Sequence, residues 1–450
     1  MITILLVVAA CGPRFDPSAI PAFLQPTGNP TVAPTSTGAG PATVAPTTQT
    51  NTRTIAGQKG STVTGGVIKV GGLFPESGGL STLGKAALDG ARAAFAEANS
   101  KGGIRGKQIK FVTCDDQADD TQSLACSRKL VEQEGVFIMG PSFTPFSLSP
   151  VNYLKNAGVP WVGYDGINIE GFEAPNVVTV GSPIEEMAHA LLPYWYRKIQ
   201  STTGTAPSKI GAVVLDVAPA QTYLSEAKNV ICPKLGCQII AEQFVTYQTT
   251  QYTTICSNMI AKGAQAIWII TDPASAIKLL TGCRSQRPQP GGFLGQHGIY
   301  LDLTLDQSGP AAEGMFANGA VLPDTEDTPA TEEMRRVIRR FNSNATFGYF
   351  ASLGYSSALM VMDLVDRILA DGKALTRANV LAAARSIGSY NCRGLCKSVN
   401  LSPPAKQTGG NHNVWIVRAD FSTGKGRWVK EAGPIDVFTV DTWPCPGKPC

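Results

Sequence analysis

Apolar residues follow two spacings along the chain from residue 67 onward. A largely apolar run at 67–74 predicts a buried strand, and Leu88, Ala91, Phe95 and Ala98 recur at the spacing of an amphipathic helix. Further strands are predicted at 108–113, 136–139, 159–163, 209–215, 238–245 and 265–270, and further helices at 121–134, 148–156, 221–232, 274–283, 331–341 and 356–370. Strands that alternate with helices are typical of a parallel sheet covered by helices on its faces.

The alternation runs to about residue 186 and restarts after about residue 187. The near-continuous apolar run at 209–215 suits a strand buried on both faces of its sheet. Two segments near the end, 413–418 and 426–430, predict a hairpin. The pattern therefore predicts an α/β protein with two similar halves, each a doubly wound parallel sheet.

The first 66 residues have a different character. Residues 2–10 are apolar, end in small residues and stop at Cys11, so Val8-Ala9-Ala10-Cys11 is similar to a bacterial lipobox, in which the cysteine carries lipid. The alternative is a chance apolar start with a free thiol. We predict a signal-peptide remnant at 1–10 and a lipid-anchored, Pro/Thr-rich flexible tether at 11–66, because this segment has too few apolar residues to form a core.

The composition of the chain restricts the classes of binding partner that it suits. The formal net charge is +4 over 450 residues, and Lys and Arg are not interleaved with aromatic residues, so we predict no nucleic-acid partner. Apolar residues make up 43% of the chain, which is enough for two packed cores. No apolar run reaches the roughly 18 residues of a membrane span, so the predicted contact with the membrane is the lipid anchor.

The chain has 11 cysteines, and ten remain once Cys11 is set aside for lipid. An even number in an exported protein favours disulfides, whereas three histidines and the lack of C-x-x-C disfavour zinc. Our hypothesis for the connectivity is pairing by proximity in sequence. It gives Cys114/Cys126, Cys232/Cys237, Cys256/Cys283, Cys392/Cys396 and Cys445/Cys450.

The sequence does not contain the motifs of several common enzyme classes. It contains no G-x-S-x-G, P-loop, H-E-x-x-H or strand-following G-x-G-x-x-G, and we predict no catalytic residue, metal or cofactor. Two pairs of acids, Asp115-Asp116 and Asp119-Asp120, could suggest a cation site, but helix capping explains them as well. His189 lies in a helix-like segment and is interpreted as a surface or packing residue.

Polar loops follow the predicted strands, at the sheet edge where open α/β proteins bind ligands. The loop after 136–140 supplies hydroxyls and backbone N–H groups ahead of a helix, a combination that favours a carboxylate. Other loops follow the strands of both halves. The predicted ligand-binding residues are Ser142, Phe143, Thr144, Asp165, Gly166, Tyr223, Thr271, Asp272, Gln296 and His297.

Taken in order, several motifs resemble the branched-chain amino acid-binding family, the type I solute-binding proteins of ABC transporters. They are Gly84-Lys-Ala-Ala-Leu-Asp-Gly-Ala, Asn99-Ser-Lys-Gly-Gly-Ile-Arg-Gly-Lys, Asp115-Asp116-Gln117-Ala118-Asp119, Lys129-Leu130-Val131, Gly140-Pro141-Ser142, Gly158-Val159-Pro160 and Ala311-Ala312-Glu313-Gly314-Met315. The resemblance implies two lobes joined by a three-strand hinge, with 67–186 and 323–400 in lobe 1 and 187–322 and 401–450 in lobe 2.

The resemblance also implies a function: an extracytoplasmic lipoprotein that captures a small polar ligand and presents it to ABC permease subunits. A sensor of the same fold that signals to a membrane partner is the alternative, and an enzyme is disfavoured. By resemblance, Thr144 holds a ligand carboxylate, the segment that starts at Asp165 also contacts ligand, and Tyr223 is a cleft aromatic.

Two positions depart from the amino acid receptors that the chain resembles. His297 stands where those receptors carry an acid for the ligand ammonium, and Leu83 stands where they carry an aromatic. Two alternatives follow. If Asp165 or Asp272 faces the cleft, an amine-bearing ligand remains compatible; if neither does, the site suits a carboxylate, amide or polyol.

Overall fold

The computed structural model describes residues 60–166, 169–402 and 410–444. Four sets of predicted features lie outside these residues: the leader and Cys11, most of the tether, Ile167 and Asn168, and the pair Cys445 and Cys450. Among the residues described, no helix combines the length and apolarity needed to cross a bilayer.

The strands and helices alternate as the sequence predicts. The strands are β1 Thr62–Val63, β2 Val67–Phe74, β3 Gln108–Asp115, β4 Ile138–Met139, β5 Trp161–Val162, β6 Val177–Val178, β7 Lys209–Leu215, β8 Gln238–Val245, β9 Ala266–Ile270, β10 Gly292–Leu294, β11 Phe316–Gly319, β12 Leu375–Thr376, β13 Asn413–Asp420 and β14 Arg427–Asp436. The helices are α1 Ser81–Ser100, α2 Asp120–Arg128, α3 Leu148–Asn156, α4 Ile169–Phe172, α5 Ile184–Thr203, α6 Ala218–Glu226, α7 Cys232–Leu235, α8 Tyr252–Ala261, α9 Pro273–Gly282, α10 Asp302–Ser308, α11 Pro329–Phe341, α12 Tyr349–Ala370 and α13 Arg377–Arg385.

The first lobe is built on a parallel sheet of order β3-β2-β4-β5-β6. Helices α11 and α12 come from much later in the chain and pack against α1. The backbones of α1 and α12 touch at two glycines: a Cβ on Gly90 would lie 2.0 Å from the Ala351 carbonyl oxygen, and one on Gly354 would lie 2.0 Å from that of Ala87. Only glycine permits this approach, which holds the late helices on the early sheet.

The second lobe is built on a sheet of order β14-β13-β11-β10-β9-β7-β8. Strands β7 to β11 pair in parallel, whereas β13 and β14 form the predicted hairpin and join β11 antiparallel. The fold class predicted from the sequence is confirmed, with this antiparallel edge added to the second sheet.

Asn411 ties together the three places where the chain passes between the sheets. Its backbone N–H donates to the Gly181 carbonyl at 2.9 Å, and its side-chain amide donates to the Ala320 carbonyl. Asn318 adds a bond from its own amide to the Met187 carbonyl, also at 2.9 Å. Asn411 is fully buried. The three crossings therefore form one compact hinge.

The end of the predicted tether differs from the prediction. Thr62–Val63 form β1, which pairs antiparallel with β12, so residues that we assigned to a flexible tether are fixed to the first lobe. The composition of 11–66 is uniformly poor in apolar residues, and this short pairing depends on backbone hydrogen bonds that composition does not reveal.

Four disulfides are formed within the described residues, with the connectivity that proximity in sequence suggests. They are Cys114–Cys126, Cys232–Cys237, Cys256–Cys283 and Cys392–Cys396. The Cys256–Cys283 bond joins α8 to the end of α9 across a sequence separation of 27 residues, whereas Cys232–Cys237 spans 5. The first therefore restricts the unfolded chain more than the second.

We predict that the two bonds contribute unequally to stability. On chain entropy alone, replacing Cys256 and Cys283 by serine should lower the free energy of unfolding by about 3.6 kcal/mol, and the same change at Cys232 and Cys237 by about 2.2 kcal/mol. Denaturant titration of both double variants checks the order. A larger loss at Cys232 and Cys237 would show that native packing, and not loop closure, sets these contributions.

Candidate functional site

A cavity lies between the two sheets, at the carboxyl ends of their strands. Its volume is about 80 Å³, several times the roughly 10–15 Å³ that one water molecule needs, and it opens to solvent. Its lining is mainly apolar and comes from loops that follow β2, β4, β7, β9 and β10, together with the starts of α5 and α12. The lining residues are Leu80, Leu83, Phe143, Pro145, Phe146, Ile184, Leu215, Val217, Pro219, Ala220, Tyr223, Ile270, Thr271, Asp272, Gln296, His297, Gly298 and Phe350.

The loop after β4 presents aromatic and proline side chains to the cavity, and its predicted hydroxyls do not line it. The Ser142 hydroxyl accepts from the Leu73 N–H at 3.1 Å and from the Trp161 indole at 3.2 Å. The Thr144 hydroxyl lies 3.1 Å from that of Ser123. Both side chains therefore stabilise the first lobe, and of the predicted residues in this loop only Phe143 lines the cavity.

The backbone N–H groups of this loop are also engaged. Those of Ser142, Phe143 and Thr144 each donate at 3.0 Å, to the carbonyls of Gly163, Leu73 and Asp165 respectively. Three of the donors that the sequence suggested for a carboxylate ahead of α3 are therefore used within the first lobe.

The loop after β9 places Asp272 in the lining. Asp272 caps α9: its Oδ1 accepts from the Ser275 N–H at 3.1 Å. Its other oxygen, Oδ2, is buried and has no hydrogen-bond partner in the structure. Asp272 is 3% exposed, so this acceptor has little access to bulk water. An unpaired buried acceptor is costly, and a ligand donor would satisfy it.

Gln296 and Thr271 hold this wall in place. The Gln296 amide donates to the Thr271 carbonyl at 2.9 Å and its oxygen accepts from the Gly298 N–H at 2.6 Å. The Thr271 hydroxyl donates to the Asp272 carbonyl at 3.1 Å. Both residues line the cavity, but these polar groups are hydrogen-bonded to neighbouring backbone groups.

His297 contributes a neutral ring. Its ring centroid lies 5.9 Å from that of Phe350 and 6.3 Å from that of Tyr223, and its Nδ1 is buried without a partner. Burial lowers the pKa of His297 to about 4, so the imidazole is uncharged at neutral pH. A neutral ring beside aromatic side chains suits an apolar ligand surface, and its unpaired Nδ1 can make one hydrogen bond.

The remaining predicted residues divide between the cavity and its surroundings. Tyr223 lines the cavity and stacks edge-on with Trp268 at 5.3 Å between ring centroids. Asp165 is buried behind the lining, near Gly181 of the hinge, and burial raises its pKa well above the usual range of a carboxyl. Gly166 packs on Tyr164, where a Cβ would meet the phenol oxygen at 1.9 Å.

Sequence reasoning missed most of the apolar lining. Pro145, Phe146 and Val217 lie in loops that follow strands. Because open α/β sheets bind ligands at the carboxyl ends of their strands, this position in the sequence could have indicated them. Phe350 starts α12, and no local pattern links that helix to the cleft because the contact depends on how α12 docks across α1.

Outside the cavity, the residues of the two acidic pairs cap a helix or accept hydrogen bonds from neighbouring segments. Asp119 caps α2 through the Gln122 N–H at 2.8 Å, and Asp115 accepts from Glu76, Ser77 and Gln117. His189, interpreted as a surface or packing residue, is fully buried and bonds Glu226 at 2.8 Å through Nε2.

The chain belongs to the periplasmic binding protein family, whose model matches residues 67–426. It is 23% identical over 325 residues to a Leu/Ile/Val-binding protein homolog 7 of Brucella abortus, covering 69% of this chain and 80% of the relative. Solved structures with the same fold include a fatty acid ABC transporter substrate-binding protein from Thermomonospora curvata (TM-score 0.71, 20% identity, 86% of this chain and 97% of that one). Another is a branched-chain amino acid transporter substrate-binding protein from Streptococcus pneumoniae in complex with isoleucine (TM-score 0.66, 18% identity, 81% and 99%).

We predict that His297 makes stability depend on pH. Its folded pKa, about 4, lies below the ordinary value of 6.5, so the unfolded chain binds the proton more readily. The contribution is present above pH 6.5 and is lost as the pH falls towards 4. Relative to a His297→Gln variant, the protein should lose about 2 kcal/mol more over that window, since the ring is partly open to the cavity. Parallel slopes of unfolding free energy against pH would contradict this.

Proposed function

We propose that the protein is an extracytoplasmic substrate-binding lipoprotein of an ABC importer, which captures a small molecule between its lobes by hinge closure and binds it without turnover. The observation that carries the proposal is the cavity between two sheets that are joined by one compact hinge. A ligand that contacts both walls binds the closed form better than the open form, and this difference drives closure. The closed pair of lobes is then the form that permease subunits recognise.

Contact between the lobes at the mouth of the cavity supports closure. Gly79, in the loop after β2, packs against Tyr247, which follows β8: a Cβ on Gly79 would lie 2.3 Å from the Tyr247 ring. Burial, with the charge of Asp272 nearby, raises the pKa of Tyr247 to about 12, so its phenol is neutral. With the Tyr247 ring in this position, the contact has no room for a larger side chain at residue 79.

We predict that Gly79→Val holds the lobes apart. The variant should be less compact by small-angle X-ray scattering and should retain less co-purifying small molecule, measured by mass spectrometry of the denatured protein. Gly65→Val is the matched control, because a Cβ at Gly65 meets nothing within 4 Å. Adding Tyr247→Ala to Gly79→Val should restore both readings. A Gly79→Val protein as compact as the control would contradict closure at this contact.

The anchor rests on the lipobox-like sequence that ends at Cys11, and it gives a separate prediction. Several acyl chains hold a protein firmly in a membrane, whereas one chain holds it only marginally. If Cys11 carries such lipid, Cys11→Ala removes the attachment point and should move the protein from the membrane fraction to the medium. Immunoblots of fractionated cells measure the distribution. A Cys11→Ala protein that stays with the membrane would remove the anchor from the proposal.

A further inference from the structure

We propose that the cavity binds a predominantly apolar molecule that carries a hydrogen-bond donor and no negative charge, with the donor directed at Oδ2 of Asp272. This names the ligand class of the proposed binding function and rests on it. The class differs from that of an α-amino acid, which needs a partner for its carboxylate as well as one for its ammonium.

The first-lobe wall offers an apolar surface. Leu80, Leu83, Phe143, Phe146 and Phe350 supply it, with the Phe143 and Phe350 rings packed edge to face at 4.6 Å between centroids. Pro145, within the same loop, has no N–H to donate. The Ser142, Phe143 and Thr144 N–H groups are bonded within the lobe, so a ligand carboxylate finds no free donor among them.

The second-lobe wall offers one strong acceptor. Oδ2 of Asp272 is buried and unpaired while Oδ1 of the same carboxylate is fixed by the cap of α9. The cap holds the carboxylate in place, so Oδ2 keeps one position without the ligand. An O–H or N–H group of the ligand that reaches Oδ2 supplies the missing bond, and a carboxylate placed there would meet a like charge.

The charges around the cavity also favour a ligand that carries no negative charge. Among the described lining residues there is no Lys or Arg. Two further acids lie outside the lining: Asp165, and Glu185, which follows the lining residue Ile184 directly. Burial raises the pKa of both, to about 7 for Glu185, which reduces their negative charge, and a carboxyl group in either state supplies no cation. His297 is neutral. The described walls therefore hold no side-chain cation that would compensate a ligand anion.

Four probes with the same branched skeleton test the class. Leucine has both charged groups, 4-methylpentanoate lacks the ammonium, and 3-methylbutylamine and 3-methylbutan-1-ol lack the carboxylate. Calorimetry on the full chain, freed of co-purifying molecules, should show binding of the amine or the alcohol at least tenfold tighter than that of leucine or 4-methylpentanoate. Tighter binding of either carboxylate, or binding of none of the four, overturns the class.

Asp272→Asn tests the role of Oδ2 and preserves the cap, since asparagine also caps helices well. The amide turns its free end from an acceptor into a donor, so the variant should bind 3-methylbutylamine at least tenfold more weakly and 4-methylpentanoate more tightly. Asp119→Asn is the matched control, because Asp119 caps α2 away from the cavity. Unchanged preference in Asp272→Asn overturns the assignment of Oδ2.

The failure of the ligand class and that of the proposed function are distinguishable. Small-angle X-ray scattering with each probe reports closure independently of probe chemistry. Closure around leucine or 4-methylpentanoate would overturn the class and leave the binding function intact. Tight binding of the amine or alcohol without any change in compactness would support the class and contradict hinge closure.

Discussion

The arrangement of the two sheets depends on the hydrogen bonds of Asn411. Because this buried residue bonds Gly181 and Ala320, all three crossings meet within a few ångströms, and the carboxyl ends of both sheets face a common cleft. A buried amide that lost these partners would leave backbone carbonyls unsatisfied, which typically costs about 1–3 kcal/mol for each group. These bonds join the three crossings at one place, so the proposed closure of the lobes would be a rotation about it.

Facing strand ends produce a cavity, and the loops decide its chemistry. Loops that precede helices are often rich in hydroxyls that cap the next helix, but here the hydroxyls of Ser142 and Thr144 bond to other groups of the first lobe. Ser142 is bonded to Leu73 and Trp161, which leaves the neighbouring Phe143, Pro145 and Phe146 to face the cleft. The lining is apolar because the polar side chains of this loop bond within the first lobe and do not face the cleft.

The regular part of this fold was predictable because buried parallel strands are long apolar runs. The predicted strands at 209–215 and 238–245 match β7 and β8 in both bounds, whereas β6 and β10, of two and three residues, are too short to show a period. Side-chain direction was not predictable. Whether Thr144 faces the cavity or Ser123 depends on the neighbouring α2, and a sequence pattern carries no information about that packing.

Two opposed electrostatic effects act in the cleft. Helices α1, α5, α6, α9 and α12 begin at it, and each positive end favours an anion by about 0.3–1 kcal/mol. Prolines in the first turns of α6 and α9 remove donors, and Asp272 already neutralises the end of α9. A ligand carboxylate about 4 Å from the Asp272 carboxylate would be repelled by roughly 4 kcal/mol at an effective dielectric of about 20, which exceeds what the ends of α1, α5 and α12 together contribute. One capping carboxylate thus reverses the charge preference that the helix ends alone would give the site.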